Sequence, residues 1–432
     1  MDAQTLGFLV FGMLGLFLVL GIPIGFAILL ATCISLAVQG LPISMAVMKS
    51  LAGADSFLLT AIPFFILAGV LMNLGGVTQR ILNFCLLLLG TVRGSLGHVT
   101  IVASMIFAGI SGSSVAETAS IGSIVIPAMV KKKYPAEVAG AIACVAGTIG
   151  IIIPPSIPMV LYSMVSEASI GKLFLGGAIP GILIGLLMMA ITAYQAKKHG
   201  YGKEREQHAS VREIVTGVKD GILAIIMPII IIGGIVLGVV TATEAAVIAV
   251  AYAFIVGRFV YREIRLDQLP GALMETVRST AVVMLVVVAA TALSWVLAYA
   301  NIPQMMSAAL LSVSDNPHVV LITINLILLV AGCVSDVAPN ILVLTPIFFP
   351  VIHKLGIDPV HFGVIVTVNM AIGLVTPPVG NCLFVASNLS KVGVERLFAA
   401  TVPYLLSSVV VLALITFFPQ LVLFLPNLFM GR

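Results

Sequence analysis

Apolar residues run along this chain in stretches of bilayer length. Residues 57–76, 171–194, 221–240, 281–299 and 402–425 are each almost free of charge. A helix needs about 20 such residues to cross the hydrocarbon core. The period-two alternation of an outer-membrane barrel is missing. The pattern therefore predicts an all-α polytopic membrane protein, with roughly ten to twelve spans plus shorter re-entrant pieces.

Two kinds of interruption break the apolar pattern. Gly109-Ile110-Ser111-Gly112-Ser113-Ser114 sits midway through an apolar run and is richer in turn formers than in helix formers. The arms around it, 99–107 and 119–129, are too short to cross alone, which predicts a hairpin with its tip at membrane depth. Segments 319–331 and 341–349 flank a second tip at 332–340. Irregular backbone survives at that depth only where protein or a watery cavity covers it. The other interruption is Pro154-Pro155, matched by Pro377-Pro378. Adjacent prolines remove two amide donors and clash with the preceding turn. Each pair predicts a broken helix with freed carbonyls.

These interruptions are two copies of one unit. Ala108 matches Ala331, Gly109 matches Gly332, Pro127 matches Pro350, Gly140 matches Gly363 and Gly150 matches Gly373, all at an offset of 223 positions (331 − 108). Paired breaks at corresponding places in two halves point to a binding site at the repeat interface.

Composition sharpens the membrane assignment. The chain is 60% hydrophobic and 9% charged, with mean hydropathy +1.22, against roughly 25% charged in soluble domains. The start lacks a basic region and a cleavage site, so it reads as a first span and not as a cleaved signal. The five cysteines lie in apolar stretches and read as small buried hydrophobes. The net charge of +4 reflects topology and implies no nucleic-acid partner.

More than half of the 21 Lys and Arg residues fall at Lys131-Lys132-Lys133, in 197–219, and at Arg258, Arg262 and Arg265. The positive-inside rule puts these loops in the cytoplasm. The first hairpin then enters from inside and the second from outside, so the repeats are inverted. Lys391 and Arg396 fall inside, and Arg432 outside.

The chemistry follows from the breaks. Freed carbonyls beside Ser, Thr and Asn oxygens suit a small hard cation such as sodium, and half-helix N-termini suit a carboxylate. Among acidic residues in apolar surroundings, Glu117 and Asp336 are functional candidates. Glu244 reads as a helix-start residue with Thr243 as the cap. Glycines 69, 76, 233, 234 and 238 read as close helix packing. Trp295, Tyr299 and Tyr162 read as interfacial anchors. His361 sits at a span edge. Gly109-Ile110-Ser111-Gly112 also matches the G-x-S-G of rhomboid-type intramembrane proteases, but the second copy has Val334 where the first has Ser111. A continuous pore fits less well than alternating access, because the two hairpins open from opposite sides.

Ala108–Ser114 with Glu117-Thr118-Ala119, Pro154-Pro155-Ser156, Thr241–Ala246 and Thr376–Asn381 together resemble the large membrane subunit of TRAP (tripartite ATP-independent periplasmic) transporters, DctM type. Ala242 departs from the proline expected in many relatives. The resemblance covers nearly the whole chain. It implies sodium-driven import of an organic acid, such as a C4-dicarboxylate or sialic acid, across the bacterial inner membrane. It implies a periplasmic binding protein and a separate small four-helix subunit as partners, and no enzyme activity or cofactor beyond Na+. A self-sufficient sodium/dicarboxylate symporter is the alternative.

The fold it implies is an elevator of the ion-transporter-superfamily type, with inverted repeats, two re-entrant helical hairpins and two broken helices. On this chain that gives scaffold helices at 1–98, then a first transport repeat at 99–196 (hairpin 99–130, broken helix 138–165). A cytoplasmic linker at 197–220 and scaffold helices at 221–316 follow. The second transport repeat is 317–432 (hairpin 318–350, broken helix 360–388, final helix). The implied sodium ligands come from Ser111, Gly112, Ser113, Glu117, Gly147, Thr148, Gly150 and Pro154 in one copy. In the other they come from Gly332, Ser335, Gly373, Thr376 and Gly380. The implied substrate contacts are Ser113, Ser114, Ser156, Asp336 and Asn381.

Overall fold

The computed structural model describes residues 3–431; Met1, Asp2 and Arg432, with the external placement of Arg432, lie outside the described residues. The described residues form helices joined by turns and short irregular links, with no strand among them. It opens with α1 (Ala3–Val19), α2 (Ile24–Val38), α3 (Ser44–Ala54), α4 (Ala61–Leu74) and α5 (Val77–Leu89). Next come α6 (Ser95–Ser111), α7 (Ser114–Lys131), α8 (Ala136–Thr148), α9 (Ile157–Ser166) and α10 (Ile170–His199). A middle group follows, α11 (Val211–Val236), α12 (Ala242–Ile255), α13 (Leu269–Tyr299) and α14 (Ile302–Val313). The last group is α15 (Pro317–Val334), α16 (Val337–Lys354), α17 (Pro359–Gly373), α18 (Asn381–Ser390), α19 (Val394–Phe417) and α20 (Gln420–Met430).

Among the described residues seven helices are long and apolar enough to cross a membrane, or eight if the bent pair Val211–Val218 and Gly221–Val236 forms one span. That is fewer than the ten to twelve expected. The apolar runs at the proline pairs are divided into short halves, α8 with α9 and α17 with α18.

The 223-residue offset governs the helices as well as the motifs. Ser114 and Val337 open α7 and α16, and Ala136 and Pro359 open α8 and α17. The turns are tighter than the sequence suggested. Gly109-Ile110-Ser111 stays helical, and only Gly112-Ser113 turns; Ser335-Asp336 is the second turn. The four hairpin arms are accordingly 17 or 18 residues long, longer than expected. α15 and α16 each meet the length and hydropathy of a span.

Each broken helix packs across to the other repeat. α18 lies on α7 and α8, while α9 lies on α16 and α17. Small residues make this possible: Leu389 of α18 sits against Gly122 of α7, and Ser390 sits against Gly140 of α8. Tyr162 of α9 donates its hydroxyl to the Pro359 carbonyl at 2.7 Å. It is wholly buried, so it ties the repeats together and is no interfacial anchor. Trp295 does stack on Tyr299, with Lys49 over its ring at 5.1 Å.

Other local expectations shift in similar ways. Thr241, not Thr243, caps α12, in a reciprocal capping box with Glu244. His361 is buried inside α17 with Nε2 2.7 Å from the Ile415 carbonyl. Gly233 and Gly238 face open space, whereas Gly69 packs on the Ser111 backbone. The irregular part of the link between halves is confined to 200–210. It is pinned by Arg205 N–H to the Gly90 carbonyl and by Lys132 to Glu204 at 3.3 Å.

Candidate functional site

Both hairpin tips are built by helix capping. α6 ends at Gly112 with φ +60, a backbone state that strains any residue with a Cβ. Ser113 then adopts extended geometry and its hydroxyl caps α7, accepting from Ala116 N–H. At the equivalent place Asp336 caps α16, its Oδ1 accepting from Val337 N–H at 2.8 Å. Asn381, the first residue of α18, donates Nδ2 to the same oxygen at 3.1 Å. Cap chemistry thus fixes where both side chains stand.

Each tip rests on the broken helix of its own repeat. A Cβ on Gly112 would lie 3.0 Å from the Pro155 carbonyl. Ser114 donates its hydroxyl to the Thr148 carbonyl at 3.4 Å. In the second repeat Gly332 and Gly373 meet backbone to backbone, and a Cβ on Gly373 would lie 2.6 Å from the Gly332 carbonyl carbon. Val379 N–H donates to the Cys333 carbonyl at 3.0 Å. Both proline pairs contain a cis peptide bond. The carbonyls of Pro154, Pro155 and Pro378 receive no backbone hydrogen bond from the described residues. Those oxygens are hard donors held at a helix break, the type of group that coordinates an alkali cation.

The predicted residues divide into two groups. Ser113, Ser335, Asp336, Thr376 and Asn381 keep some exposure. Ser114 and Ser156 are buried and engaged: Ser156 donates to the Ile151 carbonyl at 2.6 Å and accepts from Met159 N–H. Gly147 and Gly150 face Thr118 and Glu117, so they admit those side chains against the break. Gly380 begins α18 at φ +49.

The two copies differ behind their tips. Glu117 is wholly buried, and the Ser104 and Ser111 hydroxyls are the groups that approach its carboxyl. Its counterpart Asn340 (117 + 223) donates Nδ2 to the Ala331 carbonyl at 3.1 Å and the Ser335 carbonyl at 3.4 Å. The second copy also holds a buried polar chain that sequence reasoning missed. Asn369 donates to Asn325, and Asn325 to Thr416, each at 2.9 Å. Buried amides inside an apolar stretch were the available signal.

A cavity of about 430 Å³ lies beside the first tip. Ser111, Ser113, Ser120 and Ser123 line one wall, and Asn73, Glu275 and Ser279 line the facing one. Ser113, Ser120 and Ser123 share a helix face by their spacing, whereas Glu275 and Ser279 arrive from the distant α13. The symmetry-related face holds a smaller cavity of about 330 Å³: Leu342 and Pro346, equivalent to Ala119 and Ser123, line it with Thr291 and Ser294 of α13, and Ser294 donates to the Leu342 carbonyl at 3.1 Å. No cluster of three or more His, Cys, Asp or Glu is present among the described residues. The His361 ring is held by Ile415.

Comparison with known proteins gives this geometry a family. The family described as "Tripartite ATP-independent periplasmic transporter, DctM component" matches residues 11–421. The chain is 42% identical to the sialic acid TRAP transporter large permease protein SiaM of Vibrio cholerae, over 98% of both chains. It is 39% identical to the isethionate TRAP transporter permease protein DctMQ of Oleidesulfovibrio alaskensis, over 96% of this chain and 65% of that one. Among solved structures, Neisseria gonorrhoeae MtrF, described as illuminating a class of antimetabolite efflux pumps, aligns with TM-score 0.60 at 14% identity, over 87% of this chain and 83% of that one. That likeness is one of fold. The chain belongs to the DctM component family of TRAP transporters, as a large multi-pass permease of the bacterial inner membrane and not an enzyme.

Proposed function

We propose that this permease takes up a small organic acid anion by sodium symport and alternating access. The observation that carries the proposal is the repeated unit itself: a capped hairpin tip seated on a broken helix, twice, at one offset, with free carbonyls at both breaks. Each unit offers a sodium site built from carbonyls of the break and hydroxyls of the tip. Ser111, Gly112, Ser113, Gly147, Thr148, Gly150 and Pro154 form the first. Gly332, Ser335, Gly373, Thr376 and Gly380 form the second. Glu117 supplies negative charge behind the first. The anion is held between the tips by Ser113 on one side and by Asp336 with Asn381 on the other, a cation bridging the carboxylates.

The repeats are inverted and the hairpins re-entrant in this reading. The positive-charge bias supports it, because Lys131–Lys133 mark one hairpin base and the other base carries far less positive charge. The serine-lined cavity of about 430 Å³ lies beside the hairpin whose base is lysine-rich, and a smaller one of about 330 Å³ lies beside the other hairpin, so each repeat has its own recess against α13. The scaffold is α1–α5 with α11–α14, and the hairpin-bearing helices move against it as an elevator.

Relatives named for sialic acid and isethionate support a small organic anion as substrate. A periplasmic binding protein delivers it, and a small membrane subunit pairs with this chain. Uptake of labelled sialic acid and succinate into proteoliposomes tests the arrangement. Uptake should require the cognate binding protein and small subunit; equal uptake by this chain alone would favour a self-sufficient symporter.

A further inference from the structure

A groove of about 760 Å³ lies away from the hairpin tips, where α8, α10 and α19 meet. Ile191, Tyr194, Pro403 and Leu406 form its apolar walls, and Lys198 with His199 forms its rim. α10 ends at the rim, capped by Gly200 at φ +73. Lys198 stands seven residues beyond Ile191, about 10 Å along a helix. A cation is thus set one headgroup's distance from an apolar floor.

The charges around the rim are unequally paired. Glu137 faces Arg396 at 3.8 Å, and Lys132 pairs with Glu204. Lys198 has no ion partner among the described residues. His199 stacks on Tyr201 with ring centroids 5.8 Å apart. Once Glu137 is offset by Arg396, the rim carries net positive charge. The floor is preformed, because Tyr404, buried in α19, donates its hydroxyl to Gln195 of α10 at 3.2 Å. The flanks of the same helices expose Ile182, Leu186, Val402 and Val410, as a surface bathed in hydrocarbon would.

We propose that this groove holds an anionic phospholipid, with its phosphate at Lys198 and His199 and its acyl chains along Ile191, Tyr194, Pro403 and Leu406. Charge complementarity selects the anionic headgroup over a zwitterionic one. The site is separate from the transport site and does not depend on the sodium reading.

Native mass spectrometry of the full chain, purified in mild detergent and titrated with phosphatidylglycerol or phosphatidylcholine, tests it. Phosphatidylglycerol should be retained preferentially. Lys198→Glu should cut its retention about fivefold and leave phosphatidylcholine unchanged, and Lys391→Glu should change neither. Ala400→Trp, which fills the groove, should lower both. Equal retention of the two lipids by the wild type, or undiminished phosphatidylglycerol retention in Lys198→Glu, would overturn the proposal. Lys198 is exposed, so that variant folds even if Ala400→Trp does not.

Discussion

Asn381 donates its side-chain amide to Asp336, Nδ2 to Oδ1 at 3.1 Å, and so ties the start of α18 to the tip of the second hairpin. The same carboxylate caps α16. One residue therefore shapes the tip and presents charge to the space beside it.

Asp336→Asn separates those two roles. Asparagine caps a helix about as well as aspartate, so the melting transition should move by less than about 1 kcal/mol. Uptake should fall at least about tenfold, because a charge-assisted contact is lost. Wild-type uptake in this variant would remove Asp336 from the site.

Gly373→Ala tests the backbone contact at the second break. The new methyl would meet Gly332 backbone, which has no rotamer to yield. Thermal unfolding in detergent should show a loss of about 2 kcal/mol or more. Gly271→Ala, in open space on α13, should be neutral or gain up to about 1 kcal/mol. Equal stability of the two variants would contradict the close packing.

Glu117 and Asn340 should respond differently although they are equivalent in the repeat. Glu117→Gln replaces the wholly buried carboxyl group that the Ser104 and Ser111 hydroxyls approach. On the proposed role of Glu117 at the first sodium site, the sodium concentration for half-maximal uptake should rise about tenfold. Asn340→Ala removes two hydrogen bonds to tip carbonyls. It should cost about 1–2 kcal/mol of stability with the sodium response of the surviving protein unchanged.

Ser156→Ala probes the first break. Its hydroxyl both caps α9 and bonds the Ile151 carbonyl. Loss of about 1–2 kcal/mol is expected, seen as a lower melting temperature, with the affinity for substrate little altered. A variant of unchanged stability but weakened substrate affinity would make Ser156 a substrate contact.

The breaks in the fold were legible because proline pairs and glycine–serine clusters violate a helical apolar run at a constant offset. Their limits were not. Gly109 stays helical because its open face takes Pro228 from α11, a contact no local pattern reveals. Tyr162 read as an anchor because aromatic residues near span ends usually are, yet its partner is a carbonyl 197 positions away. Within the site, Ser113 and Asp336 stand out as a polar pair at corresponding positions. Ser114 and Ser156 looked equally available, and only the fold shows their hydroxyls turned to nearby carbonyls. Glu275 and Ser279 escaped notice because α13 brings them to the cavity from far along the chain.

The sodium dependence of uptake tests the central claim most directly. Proteoliposomes holding the permease with its small subunit, supplied with loaded binding protein, would face an imposed sodium gradient or an equal proton gradient. Uptake should follow the inward sodium gradient and stop when potassium replaces sodium. Undiminished uptake on a proton gradient alone, with sodium absent, would contradict the account.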